Sequence, residues 1–346
     1  MKVLILYRDL SGTIGGTERV LSAFVRLFKE LGHYVKLVSF DGGWNSKFLG
    51  NPPDEIEKIR IPRVMKLLKL SDRTIFRVSS VLALMKTYLY WSNLYDYILD
   101  LIYNDLRGSP DIGYVHYLSR KLGCDNNLFK FDELPSYIVD FLFRPKARYI
   151  FANSSWTLGL VRGCGVDGFV LHPPVEPIDC GGVEKEDLVV GLGRLSKPWE
   201  EFIEIAKAVK EVRGDIKFVI AGYASSEDRV RELRALARDY VTVIPNIDEE
   251  FKRNLLCRAK AILHTHPAEH FGIAIVEAMS TGAVPIVHKD GGAWFDIVEG
   301  GRYGYGYNTI NEAVEAVINA VSMGNEKRQE IRQKATQYTY KNFKQK

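Results

Sequence analysis

The chain has 346 residues, enough for two domains of ordinary size, and 46% hydrophobic with 26% charged residues is the balance of a soluble globular protein. No uninterrupted apolar run reaches the length of a membrane span, and a net charge of +4 is too small to point to nucleic acid. The four cysteines, Cys124, Cys164, Cys180 and Cys257, include no C-x-x-C pair, so they predict a reducing compartment with neither a disulfide framework nor a zinc site.

The opening MKVLILYRDL reads as a first strand and is too short for a signal peptide. Lys2 to Tyr7 is the apolar run of a buried parallel strand. A loop with Gly15-Gly16 follows, then an amphipathic helix from Glu18 to Leu31, then a second strand from Val35 to Phe40. Strand, glycine loop, helix and strand in this order open a Rossmann-like domain. A glycine pair entering a helix can cradle a phosphate with bare backbone N–H groups, although glycine pairs also simply make turns, and the G-x-G-x-x-G spacing is absent.

Between Arg60 and Tyr97 the character changes. Arg60, Arg63, Lys66, Lys69, Arg73, Arg77 and Lys86 are interleaved with aliphatic residues, then with Tyr88, Tyr90, Trp91, Tyr95 and Tyr97. Two amphipathic helices fit, broken near Ser71-Asp72. They read either as a solvated face over a core or as an interfacial segment for anionic lipid.

Asp111 to Tyr117 reads as another buried strand, ending in His116, and a histidine there is commonly a structural residue. Arg148 to Thr157 runs from a strand into a capped helix, and Val170 to Val175 closes a first domain over 1–176. Glu176 to Asp187 is rich in proline, glycine and charge, and reads as the hinge.

A second alternation of strands and helices, over 187–324, predicts a second Rossmann-like sheet. Its first strand ends in Gly193-Arg194-Leu195-Ser196-Lys197, where a basic pair either meets solvent or holds an anion. Ala261 to Thr265 reads as a strand ending at Pro267, Phe271 to Ser280 as a helix, and Val284 to Val287 as the next strand. Glu269 lies in the loop at the carboxyl end of that first strand, where open α/β sheets bind ligands, and Glu277 lies inside the helix. The amides of Gly272, Ile273 and Ala274 open the helix beside Glu269. Donors next to an acceptor suit a polyol, whereas a solvated loop and an exposed helix edge would carry the same letters. His264 and His266 share a strand face with His270 nearby, but Pro267 interrupts the run, so these rings read as loop-orienting hydrogen-bond partners and no metal site is expected.

The wording EHFGIAIVEAM, followed by H288, GG and DIV, resembles the E-x7-E signature of retaining GT-B glycosyltransferases. It is most similar to the mannosyltransferases that extend lipid-linked oligosaccharides from GDP-mannose. Gly15-Gly16-Thr17-Glu18, the Y-V-H-Y run at His116, N-S-S-W-T, H-P-P-V and G-R-L extend the likeness over most of the chain. The resemblance implies an α/β protein with the GT-B fold, two Rossmann-like domains facing a central cleft, with a tail helix over 325–346 crossing back onto the first.

The same resemblance implies the site. Arg194 and Lys197 would clamp the donor diphosphate, with the Gly15 and Gly16 amides approaching it. Glu269 and the Phe271, Gly272 and Ile273 amides would hold the sugar hydroxyls, Glu277 the ribose, and His116 the transferred sugar. Leu118 stands where such enzymes carry proline, and Pro198-Trp199 replaces a small residue after a shortened Arg194–Lys197 loop. The implied substrates are GDP-mannose and a lipid-linked glycan, with no resident cofactor. The place of work is cytoplasmic, peripheral to an anionic membrane through 60–97. Rival readings are a UDP-sugar transferase of the same fold, a non-catalytic nucleotide-sugar-binding subunit, and a glycosidase using Glu269 and Glu277.

Overall fold

The computed structural model describes residues 1–7, 10, 15–39, 43–58, 93–101, 111–117 and 148–346 of the protein. These form two compact units, Met1–Asn153 with Thr157–Leu171, and Ser154–Trp156 with His172–Lys346. Most of the basic, aromatic stretch expected to be two helices, residues 59–92, lies outside the described residues.

The first unit is built on strands β1 (Lys2–Leu6), β2 (Tyr34–Ser39), β3 (Glu55–Lys58), β4 (Tyr97–Asp100), β5 (Ile112–Val115), β6 (Tyr149–Ala152) and β7 (Phe169–Val170). Their order in the sheet is β3-β2-β1-β4-β5-β6-β7, and every pairing is parallel. Val3, Leu4 and Ile5 are all fully buried, as a strand covered on both faces requires. Helix α1 (Gly16–Glu30) buries Val20, Leu21, Phe24 and Val25, spacings that place them on one face. The remaining helices here are α2 (Ser46–Leu49) and α3 (Ser155–Gly163), the latter from Thr157 onward.

The second unit carries β8 (Glu186–Leu192), α4 (Glu200–Val212), β9 (Lys217–Gly222), α5 (Glu227–Ala237), β10 (Thr242–Pro245), α6 (Glu249–Arg258), β11 (Ala259–His264), α7 (Ile273–Ser280), β12 (Val284–His288), β13 (Tyr305–Tyr307) and α8 (Ile310–Ser322). The sheet order is β10-β9-β8-β11-β12-β13, again parallel throughout. In local numbering the first sheet runs 3-2-1-4-5-6-7 and the second 3-2-1-4-5-6, each with the order reversing between the first strand and the fourth.

One expectation changes here, that of the cysteines. The segment Glu176–Asp187, read as a hinge, is fastened to the second unit. Ile178 N–H donates to Ser280 Oγ (3.0 Å), Arg253 Nε to the Asp179 carbonyl (2.8 Å), and Lys185 Nζ to the carbonyls of Leu256 (3.2 Å) and Ala259 (2.8 Å). Cys180 is disulfide-bonded to Cys257, 77 residues away, and Cys164 is disulfide-bonded as well. No cysteine among the described residues is free, so the expectation of unbridged thiols is corrected, and the argument from them for a reducing compartment falls with it. Spacing could not reveal the pair, because only the sheet topology brings the end of α6 beside this segment.

The tail groups with the second unit. Helix α9 (Asn325–Ala335) packs against α7, and α10 (Tyr340–Gln345) buries Tyr340 and Phe343. Arg328 of α9 is buried, and its guanidinium donates to the carbonyls of Met323, Lys260, Gly282, Ala320 and Val321 at 2.6–3.3 Å. Among the described residues no helix is long and apolar enough to cross a membrane.

Candidate active site

Where strand order reverses in an open parallel sheet, the loops leaving two neighbouring strands part and leave a crevice. In the second unit those strands are β8 and β11. The loop after β8 carries Arg194 and Lys197, and the loop after β11 carries Glu269. Lys197 Nζ lies 3.7 Å from Glu269 Oε2. Arg194 is exposed, and its guanidinium makes no hydrogen bond or ion pair with the described residues. The sheet thus brings a paired lysine and an uncommitted arginine to the mouth of one crevice.

Glu269 is held in a shaped loop. His264, the last residue of β11, places Nε2 3.1 Å from Glu269 Oε2. Burial raises the Glu269 carboxyl, but the His264 hydrogen bond and the charges of His264 and Lys197 outweigh it and hold the group well below the usual carboxylate range. Ala268 has φ +54°, a left-handed conformation that costs a residue with a β-carbon roughly 1–2 kcal/mol, and its N–H donates to Asp290 Oδ1 (3.0 Å). Gly291, at φ +72°, and Gly292 lie directly on this loop. A β-carbon on Gly291 would stand 2.5 Å from the Glu269 carbonyl, and Gly292 N–H donates to that same oxygen (2.7 Å). The H-K-D-G-G run therefore supports the backbone that carries Glu269.

Gly272 caps α7 at φ +103°, which an L side chain rarely adopts. The helix begins at Ile273, so the Gly272, Ile273 and Ala274 amides have no helical carbonyl behind them. Phe271 is 2% exposed, with its ring 5.5 Å from His172 and 5.4 Å from Tyr338, so only its backbone can serve a ligand. Glu277 sits one turn into α7 and is buried, its Oε1 accepting from Lys252 Nζ at 2.9 Å. Sequence reasoning missed Lys252: it lies on α6, 25 residues upstream, and its spacing to Glu277 carries no helical or strand period.

The histidines act on the loop. The His264 and His266 rings meet edge to face at 6.4 Å, and His270 meets Trp156 likewise at 4.9 Å. His266 Nδ1 is buried without a hydrogen-bond partner among the described residues. Burial, then the nearby charge of Lys197, lowers its pKa.

The other predicted residues lie in the first unit. Gly15 caps α1, and its amide is already engaged by Glu18 Oε2 (2.7 Å), while Tyr7 donates its hydroxyl to Glu18 Oε1 (2.6 Å). Gly16 is the first helical residue. In this state the G-G-T-E run closes on itself, and an anion would have to compete with Glu18 for the Gly15 amide. His116 follows β5, buried, with its ring 4.8 Å from that of Tyr114 and its carbonyl accepting from Asn153 Nδ2 (2.6 Å). Burial lowers its pKa to about 3, so the imidazole is neutral at ordinary pH.

A cavity of about 380 Å³ opens elsewhere in the second unit, lined by Ser155, His172, Asp296, Lys334 and Tyr338 among others. Its polar groups already satisfy one another. Asp296 accepts from the Ser155 amide (2.7 Å) and hydroxyl (2.5 Å) and lies 2.7 Å from His172 Nε2, and Lys334 pairs with Glu299 (2.5 Å).

The sequence profile described as Glycosyl transferases group 1 matches residues 181–338, which cover all of the site in the second unit. The chain is 29% identical over 214 residues to the Homo sapiens GDP-Man:Man(3)GlcNAc(2)-PP-Dol alpha-1,2-mannosyltransferase, a span of 54% of this chain and 44% of that protein. The chain thus spans less than half the length of this curated relative. Among solved structures, WaaG, a glycosyltransferase involved in lipopolysaccharide biosynthesis, aligns with TM-score 0.69 at 15% identity, over 97% of this chain and 94% of its own. Anabaena HepE in complex with UDP and glucose aligns with TM-score 0.66 at 17% identity, over 100% of this chain and 97% of its own. The chain has the GT-B fold, and residues 181–338 match the glycosyl transferases group 1 profile.

Proposed function

We propose that this protein is a retaining mannosyltransferase that moves mannose from GDP-mannose to a lipid-linked glycan. The observation that carries the reading is the unpaired Arg194 beside the Lys197–Glu269 pair at the switch point of the second sheet. Departure of a nucleoside diphosphate concentrates negative charge on its β-phosphate. Fixed cations in a sheltered crevice stabilise that charge, each by about 3–4 kcal/mol. Arg194 is available at once. Lys197 is shared with Glu269, and donor binding would draw it toward the phosphate.

Glu269 is kept ionised by His264 and accepts hydrogen bonds from sugar hydroxyls, while the amides opening α7 donate to them. Glu277, oriented by Lys252, takes the ribose. His116 is neutral and serves the sugar by hydrogen bonding alone. Positive charge comes from the chain itself, so the reading calls for no resident metal or cofactor. The acceptor, like the mannose, is inferred from the relatives whose sequences this chain shares. A membrane-bound acceptor also gives the basic 60–97 stretch a task, at the cytoplasmic face of an anionic bilayer.

The test is GDP release on mixing the protein with GDP-mannose and a polyprenyl-diphosphate-linked oligosaccharide, followed by identification of the anomeric linkage in the product. A thermal-shift screen with GDP, UDP, ADP and their sugars separates the donor classes, because a ligand that binds the folded state raises stability. Stabilisation by UDP-sugars alone would move the protein to the UDP-dependent alternative. Donor binding without turnover would make it a nucleotide-sugar-binding subunit.

A further inference from the structure

The loop bearing Arg194 and Lys197 is fastened by two side chains that no family likeness singles out. Trp199 is 5% exposed and lies under the end of β8, where a β-carbon on Gly193 would stand 3.3 Å from its indole. Its Nε1–H donates to the Arg194 carbonyl at 3.2 Å, which also accepts from the Lys197 amide at 3.1 Å. From α5, Arg229 donates through Nε to the Leu195 carbonyl (3.4 Å) and through Nη2 to the Lys197 carbonyl (3.2 Å). The Leu195 amide in turn donates to the Tyr223 carbonyl at 2.8 Å.

Two physical consequences follow for an anion in the crevice. The carbonyls of Arg194, Leu195 and Lys197 are each committed to a donor, so none is left to oppose a phosphate. The Cα positions of both cations are also fixed before any ligand arrives, so less order has to be imposed on binding. Arg229 cannot itself serve the ligand as a free cation, because Glu200 (2.9 Å) and Glu232 (2.9 Å) neutralise it.

We propose that Trp199 and Arg229 are the positioning residues of the diphosphate clamp, holding the Arg194–Lys197 loop in its anion-binding shape. This rests on the donor-site reading given above. It also gives a task to the tryptophan of the Pro198-Trp199 pair, which stands in place of a small residue. The indole fills the space beneath Gly191 and Gly193 and supplies the N–H that the Arg194 carbonyl uses.

The experiment compares wild type with W199F, R229A and R229K. Affinities for GDP and guanosine are measured by calorimetry, with UDP and uridine or ADP and adenosine if the wild type selects another base. Turnover and melting temperature accompany them. Wild type should bind the diphosphate more tightly than the nucleoside. W199F, which removes one hydrogen bond and keeps an aromatic ring, and R229A should each weaken diphosphate binding by about fivefold and leave nucleoside binding unchanged. R229K should recover part of the loss, because an ammonium can still reach one of the two carbonyls.

If W199F and R229A leave the ratio of diphosphate to nucleoside affinity unchanged, the two residues only support the fold and the inference is overturned, whatever happens to the melting temperature. If wild type itself prefers no diphosphate over its nucleoside, the donor-site reading is overturned, a result the variants cannot produce.

Discussion

Lys252 Nζ lies 2.9 Å from Glu277 Oε1, and the two side chains are only 14% and 7% exposed. Lys252 also pairs with the exposed Glu249 at 2.7 Å. Removing Lys252 takes a buried cationic partner from Glu277, and breaking a buried pair costs about 3–5 kcal/mol. Lys252→Met should therefore lower the melting temperature and weaken donor binding together. Adding Glu277→Gln to that variant should restore part of the stability and none of the donor affinity. A double variant no more stable than Lys252→Met alone would mean that the two residues are not energetically coupled.

Arg194→Ala should behave in the opposite way. An exposed, unpaired side chain contributes within about 0.5 kcal/mol to stability, so melting should hold. Turnover should fall by about 10²-fold, because the charge Arg194 meets develops as the leaving group departs, and guanosine affinity should not move. Unchanged turnover in steady-state assays would remove Arg194 from the chemistry.

His116 predicts a pH dependence in the first unit. Burial lowers its pKa from 6.5 to about 3, so the unfolded chain binds a proton that the folded one refuses. The stability this represents is fully present above pH 6.5 and is lost as pH falls from there toward about 3. Denaturant unfolding followed across that window should show a steeper acid decline for wild type than for His116→Gln. Parallel curves would show that the imidazole titrates alike in both states.

The Cys180–Cys257 bond closes a loop of 77 residues. On the chain-entropy account such a crosslink stabilises by about 4 kcal/mol. The double variant Cys180→Ser/Cys257→Ser should melt well below wild type under non-reducing conditions and should retain part of its sensitivity to reductant, since Cys164 is bridged as well. A melting temperature equal to wild type would leave the bond without thermodynamic weight.

The basic stretch from Arg60 to Tyr97 gives a prediction from sequence alone. Cations near an anionic surface contribute about 1 kcal/mol each. Charge reversal at Arg63, Lys66 and Lys69 should abolish salt-sensitive binding to anionic liposomes and spare transfer to a short soluble acceptor. Indifference of the wild type to such liposomes at low salt would make these residues an ordinary solvated face.

Features with a local period were legible before any coordinates. The parallel strands announced themselves as apolar runs, and the loop at Glu269 by its place between a strand and a helix. Arg194 and Lys197 on one side, and Glu269 and the α7 amides on the other, lie on loops leaving β8 and β11, the neighbours between which the strand order reverses. What stayed hidden joins residues far apart in sequence. Lys252 meets Glu277 across two elements, and Arg229 reaches a loop more than thirty residues behind it. Cys180 finds Cys257 only once α6 has docked. Proline, glycine and charge mark 176–187 as a hinge, and composition carries no trace of the hydrogen bonds and the disulfide that tie it to the second unit.

Arg328 bears on how this chain can be shortened. Its guanidinium collects carbonyls from the end of α8, from β11 and from the turn after α7, and so ties three elements to the tail. The tail is thus the terminator of three neighbouring elements, and progressive trimming should be met by a threshold instead of a slope. Cuts within α10 remove one short amphipathic turn, whereas a cut that takes Arg328 strips the hydrogen-bond partners from all three elements at once.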